Sequence, residues 1–472
     1  MLKHPSMNHF GRFVLVIVLL GLILTSLFFS KYILLANGYN AKMLCSCVFM
    51  SERDNCLSED LGDFSYLNRK TNKEKQYVTS NFFGILEKKA LYRKGLGCTL
   101  VDDGYDLKKP KRVIYSKPDF LKVEPWPFGD RVDTEDQMLN VDYEKLHIAL
   151  DSAFSEPYAG MKRGTRAVVV VYKDKIISER YAEGFNKDTR MLSWSMTKSL
   201  INALAGVMVK DGIINLHDRL ELEEWKEDSR KNITVDQLLR MSSGLHFEEE
   251  YAKPSTATNM LFNSYSAAHI GIKQKAKYRP DEKWHYSSGT TNILTKFLMD
   301  KLQEKDKNPI DYIYNRLFNK LGMYSMVMEV DASGYFVGSS YSYATPRDWA
   351  RFGLFYLHKG VWNNEQILPA DWVRYTRTPT LKSDSGMYGA HFWLNSGLKP
   401  DHSDRTWPNL PEDIFYAAGY QGQFVFIIPS MDLVIVRMGQ YSDRKAWDSE
   451  SFLENILRAF PEQNQSVLLN VP

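Results

Sequence analysis

The sequence predicts an α+β protein: an antiparallel β-sheet flanked by helices, joined to a mostly helical region, behind an amino-terminal transmembrane helix. Three observations carry this. Two β-branched stretches, "TRAVVVVYKDKIISERYAEG" and "QFVFIIPSMDLVIVRMG", stand near the two ends of the long carboxyl-terminal part. Between them, apolar residues recur at helical spacing. Near the amino end, "GRFVLVIVLLGLILTSLFFS" has no charged residue from Phe13 to Phe29.

That apolar stretch approaches the roughly 20 residues a bilayer requires. Lys3, His4, His9 and Arg12 precede it, which places the start in the cytoplasm and the remainder outside, periplasmic or on the cell surface. It is long for the core of a signal peptide, and "LLA" before Asn37 is a poor small-x-small site. An uncleaved signal-anchor over residues 1–36 is therefore expected rather than a removed signal. All four cysteines, Cys45, Cys47, Cys56 and Cys98, follow it closely. In an exported chain they read as one or two disulfides with the pairing open; zinc ranks lower, because no histidine cluster completes a site.

Composition bounds the function. The chain of 472 residues is 44% hydrophobic and 25% charged, with a formal net charge of +3. It carries no basic stripe, so nothing electrostatic argues for nucleic acid. Residues 37–140 read as an extension: "SERDNCLSEDLGDFSYLNRKTNKEK" is polar and irregular, and "KPDFLKVEPWPFGD" reads as extended chain draped over a neighbour. The main domain is expected over 141–460, with a tail at 461–472. It opens on a helix at "VDYEKLHIALDSAF", followed by a hairpin around "KDK" and a helix in "MTKSLINALAGVMVKDG" that Gly212 stops. Helical segments such as "TTNILTKFLMDKL" and "TPRDWARFGLFYLHKG" fill the middle, and "WDSESFLENILRAF" closes the domain.

The chemistry concentrates in three segments. "LSWSMTKSLI" sets Ser195 three residues before Lys198 at a helix start, on one face. A serine hydroxyl needs a neighbour to take its proton, and a lysine can do so once burial lowers its pKa. The helix amino end adds amides that favour an oxyanion. Ser-x-x-Lys alone is a weak pattern, since serine is also an ordinary helix cap. "WHYSSGTTNIL" adds Tyr286, a phenol expected to have its pKa lowered by a nearby ammonium and to shuttle protons. "AAGYQGQFVFIIPS" adds Gly419 and Gly422 around Tyr420 and Gln421 at a strand entry, where the Gln423 N–H can face an oxyanion. His285 beside Tyr286 is expected to point away. Trp194 is expected to pack, Arg347 and Asp348 to be structural, and Glu248, Glu249 and Glu250 to form a solvated loop at the rim of the cleft. No metal-ligand constellation and no cofactor signature is seen.

Ser195-Met-Thr-Lys198, Tyr286-Ser-Ser288 and Tyr420-Gln-Gly422, in that order, resemble the class C β-lactamase family. That group includes penicillin-binding DD-peptidases, serine esterases and 6-aminohexanoate-dimer hydrolases. "YATPRDWARFGLFYLHKG" and "ILPADWV" resemble its dimer-hydrolase-type members. The resemblance, over roughly residues 141–460, implies an α/β sandwich with a helical domain and the site between them. It implies Ser195 as acylated nucleophile, Lys198 as proton acceptor and Tyr286 as proton relay. It further implies backbone N–H groups of Ser195 and Gln423 as the oxyanion hole, and Ser288, Tyr420, Gln421 and Gly422 as substrate-binding. No cofactor or metal is implied. Two departures matter: Ser288 stands where the family often has Asn, and Tyr420 where β-lactamases and DD-peptidases have Lys. Losing that lysine removes something like 1.5–3 kcal/mol of carboxylate binding. An amide or ester without a fixed carboxylate is the expected substrate. The alternatives are a catalytically silent binding protein of the cell envelope or a true β-lactamase or DD-peptidase.

Overall fold

The apolar amino-terminal segment lies in one 37-residue helix, α1 (His9–Cys45). The structure, a computed structural model, describes residues 9–460 apart from 54–55, 57, 63, 103–105, 115–116, 134–136, 158–159 and 402. Lys3, His4 and the expected tail 461–472 lie outside the described residues. The first half of α1 exposes Phe10, Phe13, Val16, Leu20, Phe28 and Phe29, whereas Ile33, Ala36, Ala41 and Cys45 are buried. Among the described residues, one stretch is long and apolar enough to cross a membrane, Leu27–Met50, and 67% of its window is buried inside the protein. The expected boundary at residue 36 thus falls inside a continuous helix. Asn37 and Lys42 resemble the polar end of a span, but both have protein partners. Asn37 donates to the Leu86 carbonyl at 2.8 Å and accepts from Ser80 at 2.9 Å. Lys42 forms a buried ion pair with Glu329 and lies 4.2 Å from the Tyr341 ring centroid.

The extension is more ordered than its polar composition implies. Strands β1 (Asn68–Asn72), β2 (Tyr77–Phe82), β3 (Ile85–Arg93) and β4 (Gly97–Val101) form a four-stranded antiparallel meander. Among the described residues its inner face offers Val78, Ala90 and Cys98, with the partly buried Tyr92 and Leu100, to a small core shared with Ala41 and Cys45 of α1. So few apolar residues leave little period-2 signal in the sequence. Two disulfides complete the join: Cys45–Cys98 ties the end of α1 to β4, and Cys47–Cys56 closes the following turn. The "EPWPFGD" segment docks through buried Trp126, whose neighbours Pro127 and Gly129 give their carbonyls to buried Arg351.

The main sheet draws on both ends of the remaining chain. Helix α2 (Tyr143–Phe154) is capped by Asp142, which accepts from the Lys145 N–H at 3.0 Å. Then come β5 (Thr165–Tyr172) and β6 (Lys175–Tyr181), joined at Lys173 and Asp174, both with positive φ (46° and 62°), the backbone a tight two-residue hairpin needs. The middle of the chain supplies α3 (Thr197–Lys210), α4 (Ser288–Gln303), α5 (Pro346–Leu357) and the short β7 (Trp393–Leu394). Near the end come β8 (Phe415–Gly419), β9 (Gln423–Ile428), β10 (Leu433–Gly439) and α6 (Ser449–Leu457). The six-stranded antiparallel order is β7-β8-β9-β10-β5-β6. Val168, Val170 and Tyr172 face a core shared with α2 and α6, while Ala167, Val169 and Val171 face one shared with α3 and α5. Helices on both faces explain why β5 is an unbroken apolar run rather than an alternating one.

The Cys45–Cys98 link spans a sequence separation of 53 residues. Removing it as the pair Cys45→Ser/Cys98→Ser is expected to cost roughly 4 kcal/mol, because the unfolded chain regains the entropy of that loop. Denaturant unfolding of the two proteins side by side measures the difference; an unchanged midpoint would show that the meander holds α1 without it.

Candidate active site

Ser195 sits in a tight turn, Trp194–Met196, that runs directly into α3. The turn is unusual at Trp194, whose φ of 47° is rare for a bulky side chain. Packing holds it there: the Trp194 ring lies against Tyr341 and Tyr420, and its carbonyl accepts from the Thr197 hydroxyl at 2.6 Å. The result is a serine half-exposed at a helix start, one turn before Lys198.

Lys198 is only 1% exposed. Its Nζ lies 3.0 Å from Ser195 Oγ, 3.0 Å from Ser288 Oγ and 2.9 Å from the Ser339 carbonyl. Burial pushes its pKa down to about 8, while the charge of Glu249 acts in the opposite sense. Two of the three contacts are fixed in direction. The Ser339 carbonyl can only accept. The Ser288 hydroxyl donates its own hydrogen to Glu249 Oε1 at 2.6 Å, so it too can only accept from Lys198. A neutral amine has two hydrogens and one lone pair. With both hydrogens committed, the lone pair is left facing Ser195, the one contact that can reverse.

Glu249 is the group the sequence reading misplaced. It does not belong to a solvated rim. Its carboxylate takes the Ser288 hydroxyl and, through Oε2, the Ser288 N–H at 2.7 Å; Tyr251 donates to it at 2.6 Å. A carboxylate on the first amide of α4 also gains from the helix dipole. Ser288 is fully buried, which places it between Lys198 and Glu249 rather than on an open substrate surface.

Tyr286 stands on the other side of the amine, with Lys198 Nζ 4.8 Å from its ring centroid. Its pKa is raised, not lowered as expected: burial dominates, the charge of Glu249 adds to it, and a hydrogen bond with Ser195 only partly opposes them. Burial and the Glu249 charge both favour the neutral form. Tyr286 is therefore a neutral phenol in contact with Ser195. Gly419, Tyr420, Gln421, Gly422 and Gln423 form the tip of the β8–β9 hairpin, closed by the Gly419–Gln423 pair. A Cβ at Gly419 would collide with the Ser193 carbonyl, so the tip rests on the turn that carries Ser195. Gly422 needs its freedom, with φ of 90° and Arg437 packed against it. Tyr420 is 45% exposed, the Gln421 Oε1 is buried without a hydrogen-bond partner among the described residues, and the Gln423 side chain clamps Gly439.

The β-lactamase family model matches residues 150–451. The chain belongs to this family. It is 22% identical over 310 residues to 6-aminohexanoate-dimer hydrolase from Paenarthrobacter ureafaciens, covering 59% of this chain and 73% of that protein. Among solved structures, a family VIII carboxylesterase superposes with a TM-score of 0.52 at 15% identity, covering 68% of this chain and 97% of the other. A hydrolase with promiscuous acyltransferase activity superposes with a TM-score of 0.53 at 12% identity, covering 67% and 98%. The fold is thus that of the β-lactamase-like hydrolases, and the matched region begins after α1 and the meander.

Within this β-lactamase fold the remaining expectations sort by contact. His285 is exposed and pairs with the Phe247 carbonyl, away from the reacting groups. Arg347 pairs with Glu179, and Asp348 with Ser325 and Arg351, so both are structural. His391 escaped notice in the sequence. It is buried, bonds the Lys198 carbonyl at 3.0 Å, and has its pKa pushed down to about 3 by burial and the nearby ammonium. It stays neutral and braces the backbone of Lys198. No group of three or more potential metal ligands occurs among the described residues.

Because the Glu249 charge raises the Lys198 pKa, Glu249→Gln is expected to move the acidic limb of the kcat/KM pH profile to lower pH. It is also expected to lower the plateau, since the Ser288 hydroxyl loses its fixed direction. A profile that keeps its wild-type limb would exclude this coupling.

Proposed function

We propose that this β-lactamase-family hydrolase cleaves an amide or ester through an acyl-Ser195 intermediate. The observation that carries the reading is the buried Lys198 amine, whose one reversible contact is with Ser195. In its neutral form Lys198 takes the Ser195 proton as Oγ bonds to the carbonyl carbon. The N–H groups of Ser195 and Gln423 face the oxyanion. As the acyl–leaving-group bond breaks, the Tyr286 phenol returns a proton to the leaving atom, and the proton held by Lys198 restores the phenol. Water then attacks the acyl carbon, giving up a proton by the same route, and Ser195 leaves with its hydrogen. Tyr420 and Gln421 flank the entering substrate.

The same reading places the enzyme on a membrane, with the exposed apolar half of α1 as anchor and the catalytic domain outside the cytoplasm. Two disulfides fit an oxidising compartment. The Lys-to-Tyr change at Tyr420 disfavours penicillin-type substrates; nitrocefin turnover at an ordinary enzymatic rate would reverse that preference.

Two outcomes are expected. A fluorophosphonate probe labels the wild type, and Ser195→Ala abolishes labelling; persistent labelling of the variant would place the nucleophile elsewhere. Ester hydrolysis by the wild type rises with pH through about 8, because below that value Lys198 is an ammonium with no lone pair to accept the proton. A rate flat between pH 6 and 9 would remove Lys198 as the base.

A further inference from the structure

A cavity of about 290 Å³ opens beside the catalytic turn, close to the lower limit of the roughly 300–1,000 Å³ typical of small-ligand sites. One wall is α1, through Tyr32, Leu35 and Ala36; the facing wall is Trp194, Tyr251 and Tyr420. Among the described residues its lining contains a single charged one, Lys253. The catalytic-side wall adjoins the site: Trp194 precedes Ser195, and the Tyr251 hydroxyl reaches Glu249 and lies 3.4 Å from Ser288 Oγ, the two groups behind Lys198. The opposite wall belongs to the helix whose next turns toward the amino end expose Leu27, Phe28 and Phe29. The matched region of the family begins at residue 150, so the α1 wall is this chain's own addition to the β-lactamase fold.

We infer that this cavity binds the acyl chain of a membrane amphiphile, an ester or amide whose carbonyl is attacked by Ser195. The inference rests on the hydrolase reading above and names its substrate class. The aromatic and aliphatic part of the lining, Leu35, Ala36, Phe64, Trp194, Phe262 and the tyrosine rings, fits a methylene chain. Its α1 wall continues into the exposed apolar turns that face the bilayer in the reading above, and Trp194, the residue before Ser195, sets its other wall beside the catalytic turn. Each methylene moved from water into such a site is worth roughly a fourfold gain in binding.

The test uses the full chain in lipid nanodiscs and a series of p-nitrophenyl esters from acetate to dodecanoate. With six more methylenes in octanoate than in acetate, the octanoate-to-acetate ratio of kcat/KM is expected on the order of 4,000 for the wild type. Leu35→Trp and Ala36→Phe, which fill the cavity from two positions, are expected to lower that ratio at least tenfold, with fluorophosphonate labelling of Ser195 reporting an intact centre in each. A dodecanoate ester placed in the same nanodisc should be cleaved much faster than one held in separate vesicles. A second arm needs no turnover: Ser195→Ala protein is titrated with dansyl-undecanoic acid, and either cavity substitution should weaken binding at least tenfold. A ratio unchanged by both substitutions, equal rates from the two lipid locations, or probe binding indifferent to the cavity overturns the proposal. Cavity-dependent probe binding by a protein that neither labels nor hydrolyses would instead sink the hydrolase reading and leave the acyl site standing.

Discussion

The arrangement depends on one buried amine. Lys198 has lost its water and gained three oxygen partners, all supplied by segments far apart in the chain: the turn at Ser195, the start of α4 and the Ser339 loop. Burying a cation is costly unless it is paired and hydrogen-bonded. Here the cost is met partly by satisfaction of all three hydrogens and partly by Glu249 beyond Ser288. The same burial depresses the basicity of the amine into a useful range. Placement of the surrounding elements can be read as support for this point: Asn292 of α4 fixes the Ser339 loop, and His391 holds the Lys198 backbone.

Directionality matters as much as proximity. A lysine among three hydroxyl or carbonyl oxygens could distribute its hydrogens in several ways. The carboxylate of Glu249 removes that freedom by claiming the Ser288 hydrogen. A residue that never touches Ser195 thereby decides which way the Ser195–Lys198 hydrogen bond can run. The phenol of Tyr286 contributes differently. Its raised pKa keeps it protonated, so beside Ser195 it stands as a hydrogen-bonding phenol and not as a ready-made base.

Much of this was legible in the sequence, for local reasons. Ser195 and Lys198 are one helical turn apart, Tyr286 directly precedes the Ser287 cap of α4, and the Gly419–Gly422 tip announces itself by its glycines. The β5–β6 hairpin and the flanking helices followed from periodicity. Glu249 was not legible, because its role arises when the chain returns residue 249 to the amino end of a helix beginning at residue 288, and no local spacing encodes that return. It was further masked by its neighbours: Glu250 does cap a surface turn, through the Tyr251 and Ala252 amides. The meander escaped for a different reason. Its strands meet α1 partly through polar groups, Ser80 and the Leu86 carbonyl on Asn37 of the helix, so the usual hydrophobic alternation is weak.

Helix α1 is fastened to the rest of the protein by a disulfide, a buried ion pair and a hydrogen-bonded asparagine, with no linker between its exposed and buried halves. A stiff rod of this kind behaves as a mast rather than a tether. Inserted in a bilayer, it would hold the catalytic opening at a set altitude and a set compass bearing relative to the lipid plane, so that the enzyme would scan by lateral diffusion of the whole body and not by the swing of a domain on a leash.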